Sequence, residues 1–128
     1  MPENNEKSIL DVIYDKLTET FTKYPVYYGM AKKHDLKSEW NYIVFSKSAL
    51  RMGGTSNLDL TPEFSVHLIH ENYIPEGEEA QLISAMQSIP GMRVVKGDGA
   101  YNYTARDDTK MVIEIFSVNF TKASKSCQ

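Results

Sequence analysis

A short run in the middle of the chain, His67-Leu-Ile-His70-Glu71, has side chains that could bind a metal ion. Zinc signatures of the HExxH kind need a helix, which brings residues three or four apart onto one face. The residues around this run are β-branched and aromatic and predict a strand over 64–73, where residues three apart point to opposite faces. His67 and Glu71 would then share a face without His70 or the distant His34. We therefore predict no metal site.

A second cluster of polar side chains lies nearer the C-terminus. Asp107 and Asp108 follow Arg106, and Asp98 stands between two glycines. Neighbouring carboxylates can bind a divalent cation or act as an acid and a base. Asp is also a preferred turn residue, because its side chain bonds to the backbone nearby. We predict a solvated hairpin tip over 104–109 and a tight turn at Asp98.

Two adjacent glycines, Gly53 and Gly54, could belong to a phosphate-binding loop. The GxxxxGK[ST] spacing is missing, and the residues that follow do not predict a helix. The nearby Arg51 and Lys47 add little positive charge. We interpret residues 47–60 as a long flexible loop, with a hairpin whose tip is disordered as the alternative.

The remaining signatures of catalysis are missing from the sequence. Cys127 is the single cysteine and lies next to the C-terminus, with no histidine near it in the sequence. The chain contains no GxSxG, no Rossmann glycine pattern and no CxxC. We predict that the protein is not an enzyme and uses no cofactor.

Length and composition are those of one ordinary globular domain. The chain has 128 residues, of which 41% are hydrophobic, and a net charge of −3 from 14 basic and 17 acidic side chains. This balance gives no electrostatic reason to expect a nucleic-acid binder, and one cysteine excludes a disulfide-stapled scaffold. The first ten residues show no signal peptide, and no apolar run is long enough for a membrane helix. We expect a protein of the reducing cytoplasm with no membrane partner.

The spacing of apolar residues predicts two helices and several strands. Leu10, Ile13, Leu17 and Phe21 lie on one helical face, with Asn4 or Asn5 as the cap and an end before Pro25. A second helix should open at Pro75 and end at Pro90-Gly91. Strands are predicted at 26–28, 40–46, 64–73, 92–103 and 111–120, with a bulge or kink at Gly97-Asp98-Gly99 in the fourth.

These elements predict an α+β fold with a largely antiparallel four- to five-stranded sheet flanked by two main helices. We expect a single domain over 1–128 that is ordered from about 8 to 121, with a flexible loop at 47–60 and a disordered tail at 122–128. The last strand is apolar on both faces, which is typical of a central strand.

Tyrosine is abundant, with 8 residues, many of them beside charged, Gly or Pro positions. Tyrosine is favoured at protein–protein contacts because it combines a large apolar area with a polar group. Together with the 47–60 segment, this composition favours an assembly subunit over an enzyme.

Four motifs occur in order along nearly the whole chain, from about residue 8 to 121. They are Tyr27-Tyr28-Gly29, Trp40-Asn-Tyr42-Ile-Val-Phe45, the run from His67 to Gly77, and Ile89-Pro90-Gly91-Met-Arg93. This pattern resembles small proteins of the head-to-tail gene clusters of long-tailed bacteriophages and prophages. It is similar to the tail terminator, or tail completion, family; neck and minor capsid proteins of the same clusters are the alternatives.

The resemblance implies a structural protein that assembles as a homo-oligomeric ring, typically a hexamer. Such a ring sits on the last ring of the tail tube protein, ends its polymerisation and presents a surface to the head-completion or neck protein. DNA passes through the lumen without sequence-specific binding. The implied location is the host cytoplasm during assembly and then the head-proximal end of the virion tail.

The family supplies no catalytic residues, and its interfaces are not defined by motifs. From the predicted projections of the sheet we infer contact residues in the 47–60 segment and at the hairpin tip: Lys47, Arg51, Gly53, Gly54, Arg106, Asp107 and Asp108. The alternative function is a small α+β regulatory domain that binds a ligand or metal through His67, His70 and Glu71.

Overall fold

The fold is α+β, as predicted, in a computed structural model that describes residues 8–31, 40–53, 59–95, 99–106 and 111–123. Two helices pack on one face of a six-stranded mixed sheet, which has one strand more than the four to five expected. The elements in chain order are α1 (Ile9–Thr20), β1 (Val26–Tyr28), β2 (Tyr42–Gly53), β3 (Asp59–Glu71), α2 (Glu78–Gln87), β4 (Met92–Val94), β5 (Ala100–Ala105) and β6 (Val112–Lys122).

The strands are arranged in the order β1, β2, β3, β6, and both β4 and β5 pair along the far side of β6. Strand β1 is parallel to β2, and every other pair is antiparallel. The predicted central position of the last strand is confirmed, because β6 has strand partners on both sides. It continues to Lys122, one residue into the predicted tail, of which residues 124–128 lie outside the described part.

Strands β4 and β5 form one interrupted edge. Val94 pairs with Phe120, and Ala100 pairs with Ser117. Six residues along this edge, from Val94 to Ala100, therefore correspond to three residues along β6. The strand predicted over 92–103 is therefore interrupted between Val94 and Ala100. Gly97 and Asp98, where the bulge or kink and the tight turn were expected, lie outside the described residues.

The core lies between the helices and the face of the sheet that they cover, which we call the helix-side face. Ile13 and Leu17 of α1 and Leu82 and Met86 of α2 are fully buried there. They meet alternate residues of the central strands, including Phe45, Phe64, Val66, Leu68, Phe116, Val118 and Phe120.

The opposite face, which we call the open face, carries a much smaller apolar cluster. Val44, Ile69 and Ile113 are its buried members. Partly buried side chains around them complete the cluster, namely Tyr27, Ala31, Trp40, Tyr42 and Ile115. Both faces of β6 therefore carry apolar side chains, but only one face is covered by the two helices.

Both helices begin later than the sequence indicated. The cap of α1 is Ser8, whose Oγ accepts a hydrogen bond from the Asp11 N–H at 3.1 Å, rather than Asn4 or Asn5. Helix α2 begins at Glu78 and not at Pro75, because the chain first turns through Gly77 at a φ of 95°. Its first two residues are acidic, which suits the positive end of the helix dipole.

The interpretation of residues 47–60 as a loop is wrong for most of that segment. Strands β2 and β3 remain paired from Ala49 opposite Glu63 out to Gly53 opposite Asp59, after a bulge between Lys47 and Ala49. The described residues therefore form the hairpin that was the alternative interpretation. Its tip, residues 54–58, lies outside the described part of the chain.

Candidate functional site

The distal part of the β2–β3 hairpin extends past the end of the sheet. Strand β6 pairs with β3 no further than Glu63, which is opposite Thr121. The described residues beyond that point, 49–53 and 59–62, have no strand beside them except each other. We call these residues the arm.

One side of the arm is apolar and exposed. Leu50 pairs with Pro62 and Met52 with Leu60, so all four side chains share the side that continues the helix-side face. Leu50 is 55% exposed, Met52 75% and Leu60 45%. Exposed apolar clusters on a protruding strand pair are typical of interaction sites.

The other side of the arm is polar and is tied to the body of the domain. Glu63 is 5% exposed and accepts hydrogen bonds from Arg51 Nε at 2.9 Å and from the Ser48 hydroxyl at 3.3 Å. Arg51 Nη2 lies 2.8 Å from the same carboxylate. This ion pair holds the base of the arm in line with the sheet.

Of the contact residues predicted in this segment, Lys47, Arg51 and Gly53 all lie in β2. Lys47 is exposed at the base of the arm, and Arg51 is exposed although it is paired with Glu63. Gly54 lies outside the described residues. The apolar residues Leu50, Met52 and Leu60, which dominate the exposed side of the arm, were missed. Their alternation with Ala49, Arg51 and Thr61 was the available signal.

The other predicted contact, Arg106, does not project from its hairpin. Its Nη1 lies 3.0 Å from Glu71 Oε2, and the two side chains are 14% and 15% exposed. Its guanidinium lies 5.6 Å from the centre of the Trp40 ring, and Trp40 N–H donates to Glu71 Oε2 at 2.9 Å. We call Trp40, Glu71 and Arg106 the clamp. It joins the start of β2 to the ends of β3 and β5, so the charge of Arg106 is paired within the subunit. A role for Arg106 at a contact with a neighbour stays a prediction.

Asp107 and Asp108 lie outside the described residues, as do Asp98 and His34. The predicted acidic cluster is therefore represented in the structure only by Arg106 and its partners.

The two central histidines lie on opposite faces of the sheet, as the strand geometry predicted. His67 Nδ1 is 2.7 Å from Ser117 Oγ on the open face. The His70 ring meets Tyr24 edge-on at 5.8 Å on the helix-side face, and its Nδ1–H donates to the Glu71 carbonyl. The Glu71 carboxylate is held in the clamp. The structure thus does not bring His67, His70 and Glu71 together into one site.

His67 belongs to a row of uncharged polar groups on the open face. Burial lowers the pKa of its imidazole, which favours the neutral ring at pH 7. One strand pair further along, the Ser65 hydroxyl donates to Asn119 Oδ1 at 2.6 Å. These groups satisfy one another across β3 and β6.

Two exposed tyrosines line the edge strand β5 on the helix-side face. Tyr101 is 48% and Tyr103 62% exposed. Their hydroxyls donate to carboxylates, Tyr101 to Glu79 at 2.8 Å and Tyr103 to Glu114 at 2.7 Å. The hydrogen bond to Glu79 raises the pKa of Tyr101 to about 12. The bond to Glu114 likewise raises the pKa of Tyr103.

A shallow polar groove of about 210 Å³ separates the end of α1 from the start of α2. Tyr24 crosses it and donates a hydrogen bond to Glu78 Oε1 at 2.7 Å. Burial and this bond raise the pKa of Tyr24. The lining residues are Thr20, Phe21, Thr22, Lys23, Tyr24, Glu78 and Gln81.

Across the residues that the structure describes, no three His, Cys, Asp or Glu side chains are grouped so that they could hold a metal ion. Within the same described ranges, neither helix has the length and apolar character that crossing a bilayer requires.

Comparison with known proteins gives no family for the chain. No protein-family model matches it, and no curated protein matches it. Among solved structures, one protein whose name states no function superposes with a TM-score of 0.48 at 12% sequence identity, over 93% of this chain and 96% of the other. The candidate functional surface therefore rests on the geometry of the arm and of the β5 edge.

Proposed function

We propose that the protein is a structural subunit of a bacteriophage tail, a tail terminator that closes into a ring at the head-proximal end of the tail tube. The observation that carries this proposal is the arm. It places the exposed side chains of Leu50, Met52 and Leu60 beyond the body of the domain. Water contact with these side chains is unfavourable, and a neighbouring subunit would remove it.

A projecting arm favours a particular kind of assembly. The arm lies at one end of the sheet, and we infer that it binds a different part of the neighbouring subunit and not the neighbour's own arm. Such heterologous contacts generate a closed ring when the rotation between subunits closes, and an open filament when it does not. A terminator requires the closed form, because an open one would continue to polymerise.

Two further observations support the proposal. The α+β fold with helices on a sheet is the fold that the sequence resemblance implies. The row of His67, Ser65 and Asn119 on the open face is uncharged at pH 7 and satisfied within the chain, which suits a surface past which DNA moves without sticking. In the tail terminator family that the sequence resembles, the ring is typically a hexamer. The proposed partners of the ring are the tail tube protein and the head-completion protein.

The test is complementation of a phage that lacks this gene, with particles examined by electron microscopy. The wild-type chain should restore tails of uniform length that are joined to heads, and the purified chain should form rings on tail tubes. Met52→Asp should abolish both results. Met30→Asp changes an equally exposed methionine outside the arm and should abolish neither. Normal, head-joined tails without the protein would overturn the proposal.

A further inference from the structure

We propose that the arm of one subunit docks on the β5 edge of the next copy and adds strands to its sheet. The receiving surface, which we call the tyrosine edge, consists of β5 with Tyr101 and Tyr103 and the adjacent Val112 of β6. This inference rests on the self-association in the proposed function, but not on a location in a phage tail.

The tyrosine edge has unused pairing capacity. In the described part of the chain β5 pairs only with β6, and all six of its residues are exposed. Its outer N–H and C=O groups are therefore available to another strand, and uncovered edges of this kind invite pairing. The arm has the same property, since its strands pair only with each other.

The side chains of the two surfaces are complementary. Tyr101, Tyr103 and Val112 lie on the helix-side face and are each about half exposed or more. The arm offers Leu50, Met52 and Leu60 on the corresponding side. Aromatic and aliphatic side chains on paired strands stabilise each other when they meet on one face.

The charges beside these surfaces also match. Lys47, exposed at the base of the arm, pairs in register with Phe64 and so shares the helix-side face with the apolar residues of the arm. At the tyrosine edge the flanking charges are the carboxylates of Glu79 and Glu114. A cation on one surface and carboxylates on the other favour the arm-to-edge contact over arm-to-arm and edge-to-edge contacts.

The positions of the two surfaces explain why a second copy is the partner. The arm extends from the end of the sheet where β6 finishes at Lys122, whereas Tyr103 and Val112 lie at the end where β6 begins. One chain cannot cover its own edge with its own arm. A head-to-tail contact covers both surfaces with a single kind of interface, whereas a different partner at either one would leave the other exposed.

The test uses two full-length variants, each with one half of the contact disabled. Met52→Asp places a charge on the apolar side of the arm and leaves the tyrosine edge intact. Tyr103→Lys leaves the arm intact, keeps a hydrogen-bond donor opposite Glu114, and places a lysine where it opposes edge pairing. Each substitution should weaken self-association at least tenfold. Met30→Asp and Tyr14→Lys, at comparably exposed positions elsewhere, should leave it unchanged.

The two disabled variants should nevertheless bind each other, with one arm on one edge and no further growth. The nitrogen-15-labelled Met52→Asp chain is titrated with unlabelled Tyr103→Lys chain to about 1 mM, which detects weak contacts as well as strong ones. We expect amide shifts over Ala100–Ala105 and a 1:1 complex by sedimentation. Shifts confined to other residues, or none, would overturn the assignment, as would self-association of either variant alone that is as strong as that of the wild type.

The failure of this inference and the failure of the proposed function give different results. If the wild-type chain forms rings but the titration leaves the amide signals of β5 unshifted, the assignment of the receiving edge is wrong and the ring proposal stands. If the titration shifts β5 but complementation fails, the contact stands and the terminator role is wrong.

Discussion

Several polar side chains of this protein form hydrogen bonds with one another inside the subunit. Glu71, Glu63 and Glu114 each accept hydrogen bonds from residues far away in the sequence, and each joins two or more elements. These donors satisfy the carboxylate oxygens within the subunit. Glu71, which the sequence analysis considered as a metal ligand, therefore holds strands of the sheet together, as Glu63 and Glu114 do.

The clamp should contribute measurably to stability. Glu71→Ala removes one carboxylate partner of the largely buried Arg106 guanidinium and the acceptor of the Trp40 backbone N–H. We expect the free energy of unfolding to fall by about 2 kcal/mol. Urea titration measures this change. Glu76→Ala, at an exposed position, should change it by less than about 0.5 kcal/mol, and equal effects of the two substitutions would contradict this role of the clamp.

His67 should make the fold sensitive to mild acid. Its pKa is lowered by burial in the folded chain, so below the ordinary value of about 6.5 the unfolded state binds a proton that the folded state does not. The free energy of unfolding should therefore fall as the pH drops below about 6.5, until the imidazole also binds a proton in the folded state. Urea unfolding at a series of pH values tests this for the wild type and for His67→Gln. The free energy of unfolding should depend less on pH in His67→Gln than in the wild type. An equal dependence in the two proteins would contradict the prediction.

At the scale of elements, the interrupted edge is the least regular part of the sheet. Strands β4 and β5 are both paired with β6, although they are separate strands of the same edge. Gly99 lies at this break, directly over the buried ring of Phe116. A Cβ at Gly99 would lie 2.5 Å from Phe116 Cε1 and 2.7 Å from Cζ. The glycine is thus required for space.

Gly99→Ala should therefore destabilise the fold by about 1 to 3 kcal/mol, the usual cost of overpacking. In a Phe116→Leu background, where the two clashing ring atoms are gone, the same substitution should cost much less. A double-mutant cycle from urea titrations measures the difference. If Gly99→Ala costs the same in both backgrounds, contact with Phe116 is not the reason for a glycine there.

At the scale of the whole molecule, the arm and the tyrosine edge leave apolar side chains of the single subunit exposed to water. The core beneath the helices is closed, with residues such as Leu17, Phe64 and Met86 fully buried. The apolar side of the arm, in contrast, is exposed to water. We therefore expect a subunit that folds alone and gains further stability when it associates, because binding to the folded state alone shifts the unfolding equilibrium.

The thermal midpoint of the wild-type chain should consequently rise with protein concentration. Above the dissociation constant, each tenfold increase in protein concentration adds about 1.4 kcal/mol, or about 5 °C for a domain of this size. Calorimetry over a hundredfold concentration range measures the rise. Met52→Asp should show the low-concentration midpoint at every concentration, while Met30→Asp should behave like the wild type. A midpoint independent of concentration in the wild type would contradict self-association.

The sequence alone was sufficient for the fold class, the identity of most elements and the placement of the two histidines on opposite faces. These features depend on local periodicity, because a period of two or of about 3.6 follows from backbone geometry and is visible in the order of residues. The break between β4 and β5 was predictable from composition, since glycine within a strand signals an irregularity.

Only the tertiary structure determined what each exposed or charged group contacts. Leu50 and Met52 alternate like strand residues, but whether they are covered depends on where β6 stops, and β6 lies about sixty residues further along the chain. Arg106 appeared to be a tip residue because its sequence neighbours are aspartates, and its partner Glu71 is 35 positions away. Cross-strand contacts join residues that are remote in sequence, so periodicity predicts the strands but not their neighbours.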